Sequence, residues 1–238
     1  MIKHRRSSQR GRAEQPWLKS WFTFSFDQYR DPENIQWSCL RVINEDIIAP
    51  GQGFGMHPHH DMEIISFIID GALEHQDSLG NKSIVRNGEI QRMSAGSGIV
   101  HSEFNPDPQT PTHMLQIWIF PKEKNQTPSW EQLSWMAMPE QQPGLRLIAS
   151  PDGQQGSTKI GQDASIFHLD LEKNSTHKFQ ISSGRRAWMH VINGKVEAKS
   201  ESGDILTCES GDGLGFAGEP TCSLLAHKKC SLIWFDLP

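Results

Sequence analysis

Two stretches of this chain repeat each other. Residues 68–81, IIDGALEHQDSLGN, align without a gap on residues 191–204, VINGKVEAKSESGD, at an offset of 123. At the same offset NGE (87–89) falls on SGD (210–212), and with one residue deleted SAG (94–96) falls on FAG (216–218). Glycines at matched positions imply the same turns used twice, so the chain reads as two copies of one unit. A joint is expected near residues 121–145, where PKEKNQTPSWEQ and PEQQPG interrupt the pattern. The predicted domains are therefore 1–130 and 131–238.

Each unit reads as all-β. CLRVIN (39–44), MEIISFIID (62–70), MLQIWIF (114–120), SIFHLDL (165–171), WMHVING (188–194) and CSLIWFDL (230–237) are short and rich in β-branched and aromatic residues. Turn residues such as DSLGN, RNGE, SAGSG and ESGD separate the strands. The best helix candidate is SWEQLSWMAM (129–138). Many short strands with glycine turns indicate sandwiches or barrels, here two similar β-barrels in tandem. Trp17, Trp21 and Trp37 read as core residues.

Charge and cysteine usage narrow the function classes. The net charge is −5, which argues against direct nucleic-acid binding. The one basic cluster, Lys3, His4, Arg5, Arg6, Arg10 and Arg12, reads as a solvated N-terminal arm. Cys39, Cys208, Cys222 and Cys230 make no CxxC pair, so buried free thiols in a reducing compartment are expected. No apolar leader and no membrane-spanning run is present, so the expected location is the cytoplasm, without membrane contact.

The chemistry concentrates in GFGMHPHHDME (53–63). His57 and His59 are two apart, so on a strand both imidazoles face one way. His101 and Glu103, in GIVHSEF (98–104), share that spacing. Two such strands side by side would bring together three imidazoles and a carboxylate, a donor set suited to Fe, Mn, Ni, Co, Zn or Cu with positions left open. Pro58, facing outward, fits an edge or bulged strand. His60 is off phase and reads as surface. Glu63 is in phase and reads as a fifth ligand or an acceptor orienting a histidine. His75 and His113 are isolated and read as structural, and His168, His177, His190 and His227 as surface or core. Carried across the repeat, His57, His59, His101 and Glu103 fall on Gln180, Ser182, Ser223 and Leu225, so any metal site lies in the first half alone.

HPHHDMEIISFIIDG with MSAGSGIVHSEFNP resembles the two metal motifs of a cupin, in the form used by pirins. KSWFTFSFDQYRDP (19–32), LRVINEDIIAPGQGFGMHPH (40–59), LQIWIFP (115–121) and the closing FDLP are also similar to pirins, and most similar to bacterial pirins described as quercetin 2,3-dioxygenases. The resemblance implies a bicupin, two tandem jelly-roll β-barrels with metal only in the first. It implies one divalent transition metal, Fe first and Mn, Ni, Co, Cu or Zn as alternatives, held by His57, His59, His101 and Glu103. It implies oxidative cleavage of a small aromatic substrate, a flavonol such as quercetin, by O2, with release of carbon monoxide and a phenolic ester. Glu103 would be the catalytic base, with Phe54, Met56 and Phe67 lining the cavity. Glu63 then moves to a supporting role. The alternative is a non-catalytic, redox-sensing pirin that binds a protein partner. The chain departs from many pirins at His60 and Asp61, where the family carries Arg-Gly, and at Ser94, where cupins usually carry Pro; neither departure touches the four ligands.

Overall fold

A computed structural model describes all 238 residues, Met1–Pro238. Four β-sheets make up the fold, and the only helical pieces are single 3-10 turns at Ser7–Gln9, Trp135–Ala137 and Gln154–Gly156. Each half contributes one large sheet and one four-stranded sheet. The four-stranded sheet of the first half runs Gly53–His59, Ile99–Phe104, Ala72–Asp77, Lys82–Arg86; that of the second runs Thr176–Gln180, Thr221–Ala226, Lys195–Ser200, Ile205–Glu209. The repeat read from sequence is borne out strand for strand. Glu63–Asp70, Ala72–Asp77 and Lys82–Arg86 recur as Arg186–Asn193, Lys195–Ser200 and Ile205–Glu209, with identical boundaries at the offset of 123. The architecture is the bicupin arrangement of two jelly-roll units.

Two expectations fail at the seams between the halves. Residues 129–138 are not a helix: Ser129–Ser134 is a strand paired with Glu89–Ser94, followed by the 3-10 turn. An open sheet edge offers alternate backbone N–H and C=O groups of the added strand a partner, which outweighs weak local helix preference. The basic N-terminal segment is not a solvated arm either. Ile2–Arg5 pairs antiparallel with Gly213–Ala217 and so completes the large sheet of the second half. Arg5 and Arg10 are buried because carboxylates meet them there: Asp31 lies 3.2 Å from Arg5, and Glu45 lies 2.6 Å from Arg10. The strands Ile2–Arg5 and Ser129–Ser134 hold the same place in the two large sheets, each beside the counterpart of the other's partner.

The large sheets face each other. Ile43, Ile65, Phe67, Ile90, Leu115 and Ile117 from one half pack against Ile148, Ile166, Trp188, Ile233 and Phe235 from the other, within an apolar cluster of 21 residues. The two interiors differ. That of the second half is one apolar cluster of 19 residues, whereas that of the first has only clusters of six and four. The difference is made up by buried polar side chains: Ser66, Gln91 and His75 stand at the positions of Met189, Leu214 and Ala198. Burying polar groups costs stability unless they are paired, so the first interior carries a requirement that the second lacks. Cys39, Cys208, Cys222 and Cys230 are all free, the last three buried.

Candidate metal centre

His57 and His59 project from Gly53–His59, the edge strand of the first half's small sheet, and His101 from the neighbouring Ile99–Phe104, where His101 lies opposite His57. Alternation keeps Pro58 exposed between them, without loss of a sheet hydrogen bond. The ring centroids of His57 and His59 are 4.8 Å apart, those of His57 and His101 4.4 Å, and those of His59 and His101 4.9 Å. One ring nitrogen of each lies within 4.8 Å of the others, a spacing that one metal ion could bridge.

The backbone beside His57 is bulged. Between the pairs His101–His57 and Glu103–Phe54 the edge strand holds one residue more than its partner. The Gly55 carbonyl within that bulge lies 2.7 Å from His57 Nδ1 and accepts its proton, leaving Nε2 as the free donor atom. The corresponding strand pair of the second half, Thr176–Gln180 with Thr221–Ala226, has no bulge, and the register there pairs Cys222 with Phe179 and Leu224 with Ala198, as His101 pairs with His57 and Glu103 with His75. The structural counterparts of the four expected ligands are therefore Phe179, Ile181, Cys222 and Leu224, all apolar or thiol, rather than Gln180, Ser182, Ser223 and Leu225. Phe179 stacks on Trp234 at 4.0 Å, filling the space that the histidines occupy in the first half.

His101 is 1% exposed, and its Nε2 is a buried polar atom without a protein partner. Such an atom is costly unless something outside the chain takes its lone pair. Its Nδ1 lies 3.5 Å from Nδ1 of His75, whose Nε2 lies 3.0 Å from Asp77 Oδ2. Asp77 accepting from His75 Nε2–H leaves His75 Nδ1 free to accept from His101 Nδ1–H, and His101 Nε2 bare. His75 is thus not isolated: it is fully buried, stacked on Trp130 at 5.6 Å, and orients His101. From sequence His75 reads only as structural and Asp77 is not singled out, although both fall in phase with Leu73 on the inward face of Ala72–Asp77. Burial would push the Asp77 carboxyl up, but hydrogen bonds from His75, Asn81 and Leu79 outweigh it and hold the group below its ordinary value. Burial, reinforced by the neighbouring imidazoles, pushes His59 down to about 4 and His101 down to about 3. Both rings are neutral at physiological pH, the form that binds metal.

Glu103 is 2% exposed and accepts from Ser66 Oγ at 2.9 Å and Gln116 Nε2 at 2.7 Å, with Gln91 Nε2 at 3.4 Å. It adjoins the three histidines through His101, and its own donor group is His75, His101 and Glu103. The donor chemistry, the orphaned nitrogen and the buried carboxylate fit a divalent transition ion.

Other expected residues fall elsewhere. Glu63 faces the opposite side of its strand, where it accepts from the Ser94 hydroxyl at 2.7 Å and from the Gly161 backbone N–H. Phe67 shares that face and stacks on Trp135 and His168, because Ser66 beside it takes the inward position. Phe54 does adjoin the histidines, 6.5 Å from the His57 ring, and Met56 is exposed at the bulge. Trp118 meets His59 edge-on at 5.0 Å. His60 is exposed beside Asp61. Asp61 adopts a left-handed φ of +50°, a conformation glycine takes freely, and its carboxylate anchors the backbone N–H of Asn125. His113 pairs with Glu45 at 2.9 Å, and His168 and His190 are buried between the halves.

Residues 3–119 match the family profile described as Pirin, and residues 147–237 match that of the quercetinase C-terminal cupin domain. The quercetin 2,3-dioxygenase of Escherichia coli O157:H7 is 44% identical over 238 residues, covering 100% of this chain and 99% of that protein. A pirin-like protein of Caulobacter vibrioides is 36% identical over 236 residues, covering 99% of each. Among solved structures, the bacterial pirin YhhW from Escherichia coli in complex with nickel(II) is 44% identical and superposes with a TM-score of 0.93, covering 100% of this chain and 99% of that one.

Proposed function

The chain belongs to the pirin family, and on that footing we propose that it is a metal-dependent dioxygenase that cleaves a flavonol such as quercetin with O2, releasing carbon monoxide and a phenolic carboxylate ester. The observation that carries this reading is the unpartnered Nε2 of His101 beside His57 and His59, in the one interior not filled by apolar side chains. His57, His59, His101 and Glu103 would hold the ion. Iron is the ion we expect for an oxygen-dependent reaction, and Mn, Ni, Co, Cu and Zn suit the same donors. When bound, it supplies a Lewis acid at the 3-oxygen of the flavonol.

The residues around it divide the remaining work. The Gly55 carbonyl and the His75–Asp77 pair fix which nitrogen of His57 and of His101 is bare. Glu103 receives the 3-hydroxyl proton at its carboxylate, which Ser66, Gln91 and Gln116 keep in position. Phe54 and Trp118 offer apolar surfaces beside His57 and His59 for a flat aromatic ligand. Free thiols fit a reducing compartment, and we place the protein in the cytoplasm.

The test is carbon monoxide release from quercetin and O2 by protein loaded with each metal in turn, beside His101→Ala. Release that requires metal and disappears in the variant supports the dioxygenase. Stoichiometric metal binding without release under any metal overturns it and favours the partner-binding alternative.

A further inference from the structure

A second group of donor side chains lies beside the apolar interior of the second half. His4 Nε2 is 3.3 Å from Asp212 Oδ2 and 3.9 Å from Cys208 Sγ, and the three donor atoms lie within 4.8 Å of one another. Cys208 is fully buried and Asp212 is 7% exposed, while His4 is half-buried and gives the group a path to solvent. Asp212 is already fixed, since its two oxygens accept from the backbone N–H groups of Ser7 and Glu209 at 2.6 and 3.1 Å.

The first half shows what these positions need for folding alone. His4 lies opposite Leu214 as Gln132 lies opposite Gln91, so His4 stands in the place of Gln132. Asp212 and Cys208 stand in the places of Glu89 and Val85. There Gln132 donates to Glu89 at 3.0 Å, and Val85 is buried and chemically inert. An amide, a carboxylate and an aliphatic side chain therefore suffice to pin the outer strand to its sheet. In the second half the set is an imidazole, a carboxylate and a thiol, each a metal donor.

We propose that His4, Cys208 and Asp212 form a second metal site, structural in role and suited to zinc or a similar divalent ion. Tetrahedral zinc, with bonds of roughly 2.0–2.3 Å, sets neighbouring donors roughly 3.3–3.6 Å apart, close to the 3.3 and 3.9 Å that separate His4 from Asp212 and Cys208. Thiolate and carboxylate together cancel the charge of the dication, which a half-buried site requires. On binding, the Cys208 S–H bond gives way to a sulfur–metal bond and the proton passes to solvent; nothing is oxidised. Water would complete the coordination from the side of His4. The ion would tie the first strand of the chain to the second half's sheet.

Cobalt(II) tests this directly, because thiolate ligation gives a charge-transfer band that imidazole and carboxylate ligation does not. The probe is cobalt(II) added to the His57→Ala/His59→Ala variant, in which the first site is disabled. The expected result is one equivalent bound with that band, and a rise in melting temperature. Adding Cys208→Val or His4→Gln should abolish both; each restores the type of side chain that the first half tolerates there, and each is checked for folding by circular dichroism. No thiolate band in the double variant, or a band that survives Cys208→Val or His4→Gln, overturns the proposal and leaves His4 and Asp212 as a hydrogen-bonded pair only.

Discussion

Asp77 holds His75 by a single 3.0 Å contact between Oδ2 and Nε2, with both residues buried at the far side of His101 from the other two histidines. This contact sets a chain of proton positions that ends on the bare Nε2 of His101. His75→Phe keeps an aromatic ring against Trp130 but leaves His101 Nδ1–H unpartnered. Metal affinity should fall by about 10–100-fold, the usual effect of losing such an outer partner. A competition titration reads it, and an unchanged dissociation constant removes His75 from the site.

The bulge beside His57 can be deleted. Removing Met56 would give the edge strand the unbulged register that Thr176–Gln180 already shows, with His57 in the place of Phe179. His57 would still face inward but would lose the Gly55 carbonyl. The expected outcome is a folded protein whose metal affinity is again lower by about 10–100-fold. Loss of the fold, seen by circular dichroism, would show that the bulge serves folding and not ligand orientation.

Phe67 provides the opposite control. Its ring belongs to the cluster between the halves, stacked on Trp135 at 5.5 Å. Phe67→Ala should cost about 3–5 kcal/mol of stability by leaving a cavity. Metal affinity of the folded protein should not change. Denaturant unfolding and metal titration read the two effects separately, and a variant that loses metal while keeping its stability would put Phe67 back in the pocket.

Acid should loosen the seam between the halves. His190 is 1% exposed, neither of its ring nitrogens has a partner, and burial pushes it from 6.5 down to about 3. Arg10 adds to that shift, and Glu45 and Asp212 oppose it. Burial likewise pushes His168 down to about 4. Below about pH 6.5 the unfolded chain takes up protons at these rings while the folded chain does not, so stability falls with pH across that window. The melting temperature of the metal-free protein should drop from roughly pH 7 to roughly pH 4.5, and His190→Met should flatten the drop. Identical slopes in the two proteins would exclude His190 as a source.

Glu103→Gln tests the residue to which the dioxygenase reading gives two tasks, holding the ion and taking the proton. The amide keeps the volume but does not take up a proton as a base, and its single oxygen accepts from Gln116 or from Ser66 where the carboxylate accepts from both. Carbon monoxide release should fall by about 100-fold or more, the usual worth of a general base. Release at the parental rate would remove Glu103 from the reaction.

What was legible in the sequence was periodic. The two-residue spacing of His57 with His59 and of His101 with Glu103 needs only strand alternation, and the repeat at an offset of 123 carried the turns of both halves. What was not legible depended on partners far along the chain. The bulge appears only when Gly53–His59 is laid against Ile99–Phe104, and it shifts the counterparts of His57 and His59 by one residue; those of His101 and Glu103 shift because sheet pairing places them two residues short of the 123 offset rather than one. His75 looked isolated because Asp77 and His101 become its neighbours only through the pairing of Ala72–Asp77 with Ile99–Phe104. Glu63 is in phase with His57 and His59 only if alternation runs unbroken through the turn at Asp61, and Ser66 shows that the inward face of the following strand is the other one, which also turns Phe67 away.

The pairing of Ile2–Arg5 with Gly213–Ala217 also bears on synthesis. Ile2–Arg5 is made long before Gly213–Ala217 and must wait for it, a contact of high sequence separation that slows folding. A gene divided at the predicted joint, between residues 130 and 131, would cut through Ser129–Ser134 and strand Ile2–Arg5 on the wrong fragment. Both fragments would expose an unpaired sheet edge, which is a template for aggregation. The half without the donor residues is therefore not dispensable, because the two halves finish each other's sheets.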